Sequence, residues 1–520
     1  MPDFHSIFAI TRQSWPLLVL LGMCGCTDSA ATPPATNTPA TNTAAPEPQA
    51  VAPSQAAATR PAAEAPQKTP SRVRTAQAGA RSRTADVDRL ADSFMGADQS
   101  PDRFKPARVE MHAELSVDDA FLKEQGIRIL EGRHVRIYTD LPSSQAIDEL
   151  PQVFDAIFPQ WCAYFEVDAE KNADWSINGV VMKDGDKMRK LGLLPDDLAP
   201  FHNGFFRGDT FWVWEQPSDF YRRHLVLHEG THGFMLTMLG GAGPPWYMEG
   251  MAEYFGTHTW DGQNLTTRVI PQTKEDSPMW GRIKIIRDDL AAGEGRGLFD
   301  IIRYNHEEFL QNRPYGWSWG AVAFLDQHPQ TQQAFRKLRT HTRMTGGFSE
   351  RLTNELGDVW PKVSEQWQIF ITDLDYGYRF EESAIDYRPG QPLAGGEGTF
   401  TLSAEKGWQS SEVELTAGTT YQITAEGQFQ IKQGPPAWQA EPGGVTLEYY
   451  RGQPLGILLG AIRPENPDAF GQSPLAFPQP LGLAREITPQ QTGTLYLKIN
   501  ENPAHLHDNQ AMVTVTIKEK

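Results

Sequence analysis

The residues with the most chemistry to offer are His228-Glu229-Gly230-Thr231-His232, an H-E-x-x-H motif. On a helix, residues four apart share a face, so His228 and His232 can bind one metal ion while Glu229 projects beside it. Two imidazoles and an open position suit Zn²⁺, which lowers the pKa of a held water toward about 7. A neighbouring carboxylate can take that water's proton as it attacks a carbonyl. A third ligand completes the set, since catalytic zinc usually takes three protein ligands, His₂Glu among them. Glu249 follows His232 after sixteen intervening residues and is the expected ligand. Glu253, one turn further on, is expected to support a ligating histidine from behind; the converse assignment, Glu253 on the metal and Glu249 in support, also fits the spacing.

The elements that must position these residues follow from the flanks. Phe220 to Leu227 leads into the motif and Gly233 to Leu239 leads out, with apolar residues on both sides, which predicts a buried helix. Gly240-Gly241 supplies a stop, and Gly243-Pro244-Pro245 a turn before a second helix over Trp246 to Phe255. A helix–loop–helix hairpin brings Glu249 back to the two histidines. The apolar neighbours of Glu249 and Glu253 (Trp246, Met248, Met251, Tyr254, Phe255) mark both as more than solvated surface acids.

H-E-x-x-H followed by Trp246-x-x-Glu249-Gly250-x-Ala252-Glu253-Tyr254 resembles the gluzincin peptidases of the MA clan, over roughly residues 125 to 380 and most strongly over 221 to 256. The resemblance implies that His228, His232 and Glu249 bind zinc and that Glu229 is the general base. It also implies an oxyanion-stabilising residue from the following helical region. Tyr315, in Tyr315-Gly316-Trp317-Ser318-Trp319, matches best, ahead of Tyr304 and His306; a phenol O–H aimed at a developing alkoxide suits the role. A sheet edge beside the metal helix would pair with extended substrate, and Phe211 to Trp214 are expected to line that cleft.

Composition bounds the rest. The chain has 520 residues, 39% hydrophobic, with a formal net charge of −18. Such acidity, with no basic stretch to offset it, argues against nucleic acid as a partner. Arg12 precedes the apolar run Trp15 to Met23, too short to span a bilayer as a helix, which closes in Cys24-Gly25-Cys26. This resembles a bacterial lipoprotein signal, with Cys26 the expected lipidated residue and Cys24 the alternative. The chain is thus expected to be exported and anchored in a membrane facing periplasm or cell surface, an ordinary secretory signal being the other reading. Cys162 is expected to be a buried structural thiol, and no disulfide framework is available.

Four segments follow: 1–26, the signal segment; 27–105, a linker rich in Ala, Thr and Pro that cannot bury enough apolar surface to order itself; 106–386, the metallopeptidase-like domain; and 387–520, a β-sandwich. The fold class expected is α+β, a small sheet with active-site helices and an α-rich subdomain, followed by a separate all-β domain. In the first folded part, Ile127 to Leu130, His134 to Thr139 and Trp175 to Met182 read as strands, Ser144 to Phe165 as a helix, and Phe205 to Trp214 as a hairpin. After Phe255 the main helical segments are Leu298 to Ile302, the Tyr315 helix, Gln330 to Arg343 and Val359 to Phe370. From Tyr387 on, short alternating strands recur, such as Tyr421 to Ala425 and Met512 to Ile517.

Leu455 to Ile462, Gly493 to Glu501 and His507 to Val515 resemble the PA-IL-type galactose-binding lectins, over roughly residues 400 to 518. That resemblance implies a Ca²⁺ bridging loop oxygens to sugar hydroxyls, with Glu501, Asp508 and Asn509 as donors suited to a hard cation. Glu501 stands where the pattern has aspartate, and Gln430 to Gln433 offers no tyrosine for a remaining ligand. The reading that results is a membrane-tethered zinc peptidase, most simply an endopeptidase, acting on peptide or protein. The alternative is a catalytically silent scaffold, or a carbohydrate-binding protein that uses the sandwich.

Overall fold

Three strands with almost no polar face set the first core. β2 (Val135–Thr139), β3 (Ile177–Met182) and β5 (Thr210–Trp214) are buried on both sides. Their alternation feeds two clusters. Val135, Ile137, Ile177, Val181, Phe211 and Val213 face the large helical core, while Tyr138, Val180, Met182 and Trp212 face a smaller one with Leu122, Met188 and Leu193. Strands covered on both faces are a property of parallel sheets, and these three pair in parallel. β1 (Arg128–Glu131) and β4 (Gly204–Arg207) close the two edges antiparallel, giving the order β1-β2-β3-β5-β4. The structure is a computed structural model and describes residues 108–109, 112–465 and 471–520. The signal-like segment with Cys24 and Cys26 and the 27–105 linker lie outside these residues.

The hairpin expected over Phe205 to Trp214 is present, but its strands are placed differently from the expectation. β5 lies between β3 and β4, and Phe211, Trp212 and Val213 are wholly buried. The free edge is β4, so Phe211 to Val213 are not at a cleft, while half-buried Trp214 lines a surface pocket beside Asp140 and Asp184. Every β5 residue but the last is buried, a pattern that belongs to an interior strand.

Helices cover the sheet. α1 (Leu150–Phe165) makes the crossover from β2 to β3 that a parallel pair requires. α2 (Asp219–Phe234) is capped by Ser218, whose hydroxyl accepts from the Tyr221 N–H. It buries Val226, Leu227 and Phe234 completely, each contributing about 1.5–3 kcal/mol. A π-helical turn, Met235–Leu239, follows, and Gly240 ends it with φ 71°, a left-handed conformation that glycine takes without a Cβ penalty. α3 (Pro245–Gly256) starts with proline in its first turn and packs on α2. α4 (Arg282–Ala291), α5 (Arg313–Gln327) and α6 (Trp360–Asp373) complete the helical layer. Trp367 is buried in the core as its helical face demands. Cys162 is buried on α1, and burial, then Asp168, pushes its thiol up to about 11, which keeps it unreactive.

From Gln391 the chain is built of strands. One sheet runs β14 (Gly443–Tyr450), β15 (Gln453–Arg463), β18 (Gly493–Ile499), β10 (Gln409–Leu415) and β8 (Gln391–Pro392), with β16 (Gln479–Pro480) beside β15. The other runs β17 (Ala484–Ile487), β11 (Tyr421–Glu426), β19 (Met512–Glu519) and β9 (Glu397–Ser403). Between them lie Leu402, Ile423, Leu458, Leu497, Val513, Val515 and Ile517. The hairpins β6 (His258–Trp260) with β7 (Leu265–Thr267), and β12 (Phe429–Lys432) with β13 (Trp438–Ala440), stand apart from these sheets. The strand-rich part meets the helical part through buried ion pairs: Arg463 donates to Glu365 at 2.8 Å, and Lys498 to Asp373 at 3.3 Å. The described structure is α+β. No helix among the described residues is long and apolar enough to cross a membrane.

Candidate metal centre

The α2–α3 hairpin brings three ligand-type atoms to one point. His228 Nε2 and His232 Nε2 are 3.1 Å apart, and Glu249 Oε2 lies 3.3 Å from the first and 3.4 Å from the second. Tetrahedral zinc with bonds of about 2.0–2.1 Å has ligand–ligand edges of about 3.3–3.4 Å, so the triangle matches one face of such a tetrahedron. Glu249 Oε2 is buried and has no hydrogen-bond partner, a costly condition for a carboxylate oxygen that a cation relieves. Burial works to raise the Glu249 pKa, but the charge interaction with His232 and the close approach of both imidazoles outweigh it and hold the group at about 2. His228, His232 and Glu249 form a group able to hold a metal ion.

Glu229 stands beside this group without joining it. It is 5% exposed, and burial pushes its carboxyl up to about 8, against His232 and with help from Glu249 and Glu253. A carboxylate titrating near neutrality is well matched to proton transfer. Its position is set by a bare stretch of backbone: a Cβ built on Gly204 of edge strand β4 would overlap Glu229 Oε1. Gly204→Ala is therefore expected to displace Glu229 and, on the hydrolytic reading of the motif, to lower turnover by about 10²-fold, the scale of a misplacement near 1 Å, with metal content unchanged. Steady-state kinetics alongside metal analysis checks this; full activity in the alanine variant contradicts it.

Tyr315, in the first turn of α5, completes the wall. Its ring centre is 6.3 Å from that of His228. Burial, with Glu249, Glu229 and Glu253 adding to it, raises the phenol far above its ordinary value, so it stays protonated and able to donate. Phe309 packs edge-on against Tyr315 at 5.1 Å. Of the weaker candidates, Tyr304 packs on Phe309 and His306 is exposed.

Glu253 is not in the metal triangle. Its carboxylate is paired with Arg282 through Nε to Oε2 at 2.8 Å and Nη2 to Oε1 at 2.7 Å. The pair is buried, so removing either partner costs about 3–5 kcal/mol. Burial opposes the charge on Glu253, yet Arg282 and then His224 hold its pKa well below the usual range. Oε1 also lies 3.5 Å from His228 Nδ1, and Oε2 lies 3.4 Å from His224 Nε2. Arg282 and His224 have no place in the sequence reading. His224 carried a signal, being four residues before His228 on the same helical face. Arg282 carried a weaker one, the helical spacing of Ile283, Ile286 and Leu290 in a segment not expected as a helix.

The loop over Glu501 to Asn509 shows a second set of unpartnered atoms. Glu501 and Asn509 are buried and Asp508 is partly so. Each is tied by one side-chain atom: Glu501 Oε1 accepts from Asn502 N–H at 2.9 Å, Asp508 Oδ2 from Gln433 N–H at 3.1 Å, and Asn509 Nδ2 donates to Ala404 O at 3.0 Å. The other oxygens, Glu501 Oε2, Asp508 Oδ1 and Asn509 Oδ1, are buried without partners. Burial pushes Glu501 up to about 8, with Asp508 and Glu448 adding to it. His505 is exposed, its ring 3.9 Å from Glu501.

No family model matches the chain. No curated protein matches it either. Among solved structures, the N-terminal domain of EclA, described as a PllA-like lectin, is similar at 19% identity over 24% of this chain and 100% of that one, with a TM-score of 0.19.

Proposed function

We propose that the chain is a zinc-dependent peptidase of the gluzincin kind, exported and tethered to a membrane through its N-terminal segment. The observation that carries this reading is the convergence of His228 Nε2, His232 Nε2 and the orphaned Glu249 Oε2 within 3.1–3.4 Å of one another. Zinc held there supplies Lewis acidity and makes water a usable nucleophile near neutral pH. Glu229 accepts the proton of the attacking water and passes it to the leaving amine. Tyr315 donates its phenolic hydrogen to the oxygen of the scissile carbonyl as charge builds on it. Strand β4, free along one edge and passing beside Glu229, offers main-chain groups to an extended peptide. The purified full chain is expected to carry about one zinc per chain, as a His₂Glu site implies. It should hydrolyse an unfolded protein, stop on chelation and recover with added Zn²⁺. Hydrolysis that persists in metal-free protein, or none from the zinc-loaded chain, sinks this reading.

The three unpartnered oxygens at Glu501, Asp508 and Asn509 favour a second reading for the strand-rich part, a Ca²⁺-dependent carbohydrate site. Hard oxygen donors with their remaining atoms already fixed suit that ion. Calorimetry on the full chain is expected to give a Ca²⁺ Kd of about 10⁻⁴–10⁻³ M, abolished by Asp508→Ala, with binding to a glycan array only when Ca²⁺ is present. Equal glycan signals with and without chelator exclude it.

A further inference from the structure

Arg282 opens α4, away from both the H-E-x-x-H motif and Tyr315 in sequence, yet its guanidinium reaches both walls of the site. It grips Glu253 with two parallel bonds of 2.7 and 2.8 Å, and it lies 5.9 Å from the centre of the Tyr315 ring. Both members of the pair are buried, Arg282 at 9% exposure and Glu253 at 1%. On its opposite side the same carboxylate faces two imidazoles, His228 Nδ1 at 3.5 Å and His224 Nε2 at 3.4 Å.

Two roles fit that arrangement. His224, His228 and Glu253 are close enough together to hold an ion of their own. The guanidinium decides against it: both Glu253 oxygens already accept from Arg282, and a cation would sit against a fixed positive charge. The other role is support. A forked pair fixes the plane of a carboxylate in a way one ammonium cannot. Held so, Glu253 Oε1 stands 3.5 Å from His228 Nδ1, a buried nitrogen with no hydrogen bond of its own, and its negative charge favours the tautomer with hydrogen there. That leaves the lone pair on Nε2, the nitrogen turned toward His232 and Glu249.

We infer that Arg282 is a positioning residue of the metal centre, holding Glu253 against His228 and bracing the Tyr315 ring without touching ion or substrate. The inference rests on the metal-centre reading above. Its test uses the full chain and three variants, Arg282→Lys, Arg282→Met and Glu253→Gln, together with the double variant Arg282→Lys/Glu253→Gln. The readouts are zinc affinity by competition with a chromophoric chelator, the visible spectrum of the Co²⁺-substituted protein, and circular dichroism. Arg282→Lys keeps the charge and the fold but loses the fork. It should weaken zinc binding about 10–100-fold, the usual effect of losing a ligand's outer partner, and shift the Co²⁺ bands. Glu253→Gln should do the same. The double variant should be no weaker than the worse single one, because residues acting through one another are not additive. Arg282→Met should match or exceed the lysine variant; where it does not fold, Arg282→Lys alone decides. Wild-type affinity and spectra in the Arg282 variants overturn the inference, as do losses that multiply in the double variant. Wild-type protein that binds no zinc removes the metal-centre reading and this inference together, whereas tight wild-type binding with unaffected variants removes only this one.

Discussion

Glu229→Gln is expected to keep zinc at the wild-type ratio and to abolish hydrolysis, with kcat falling by about 10²–10⁴-fold, the usual worth of a positioned general base. The substitution keeps the size of the side chain and removes only its ability to take a proton. Glu229 lies outside the group formed by His228, His232 and Glu249, so the ion has no reason to leave. The buried carboxyl raised to about 8 is already destabilised as an anion, so the neutral amide also fits its surroundings without loss of fold. KM should change little, since the lost interaction belongs to the reacting step. Tyr315→Phe makes a useful contrast: it removes one donor to the oxyanion and should cost about 10²–10³-fold, with zinc again retained. Turnover of an unfolded protein by the Glu229 variant at the wild-type rate ends the peptidase reading, whatever its metal content.

The parts legible in the sequence were those whose signals are local. The run from Phe220 through Leu239, the Gly240 stop and the proline start of α3 each state a helix or its end within a few residues. The alternation in β11 and β19 states half-buried strands in the same way. What stayed out of reach depends on pairing over distance. Phe211 to Trp214 read as an edge because a hairpin alone does not say which of its strands joins a sheet; β3, whose residues pair with those 32 further along the chain, takes β5 and leaves β4 outside. Gly204 is unremarkable until β4 is laid against Glu229. Arg282 is one arginine among many until α4 is folded behind α3, where its partner proves to be Glu253. That pairing weighs on what spacing left open, since a carboxylate already forked to a guanidinium is poorly free to bind a cation, while Glu249 Oε2 faces the two imidazoles without a hydrogen bond.

That distinction leads to the second large effect. His228→Ala and Glu249→Ala are each expected to lose zinc outright on dialysis, an affinity loss well beyond the about 10–100-fold that an outer partner costs. Glu253→Ala should instead retain the ion more weakly and melt at lower temperature, because it leaves Arg282 buried and unpaired at a cost of about 3–5 kcal/mol. The two glutamates therefore separate along different axes, metal content for Glu249 and fold stability for Glu253. Metal analysis after exhaustive dialysis, paired with thermal melts of the metal-free proteins, reads both at once. In the metal-free state Glu249→Ala should move the melt less than Glu253→Ala, since it leaves no buried arginine without its partner. A Glu249 variant that keeps zinc, beside a Glu253 variant that loses it, would reverse the ligand assignment and require Arg282 to release its carboxylate when the ion binds.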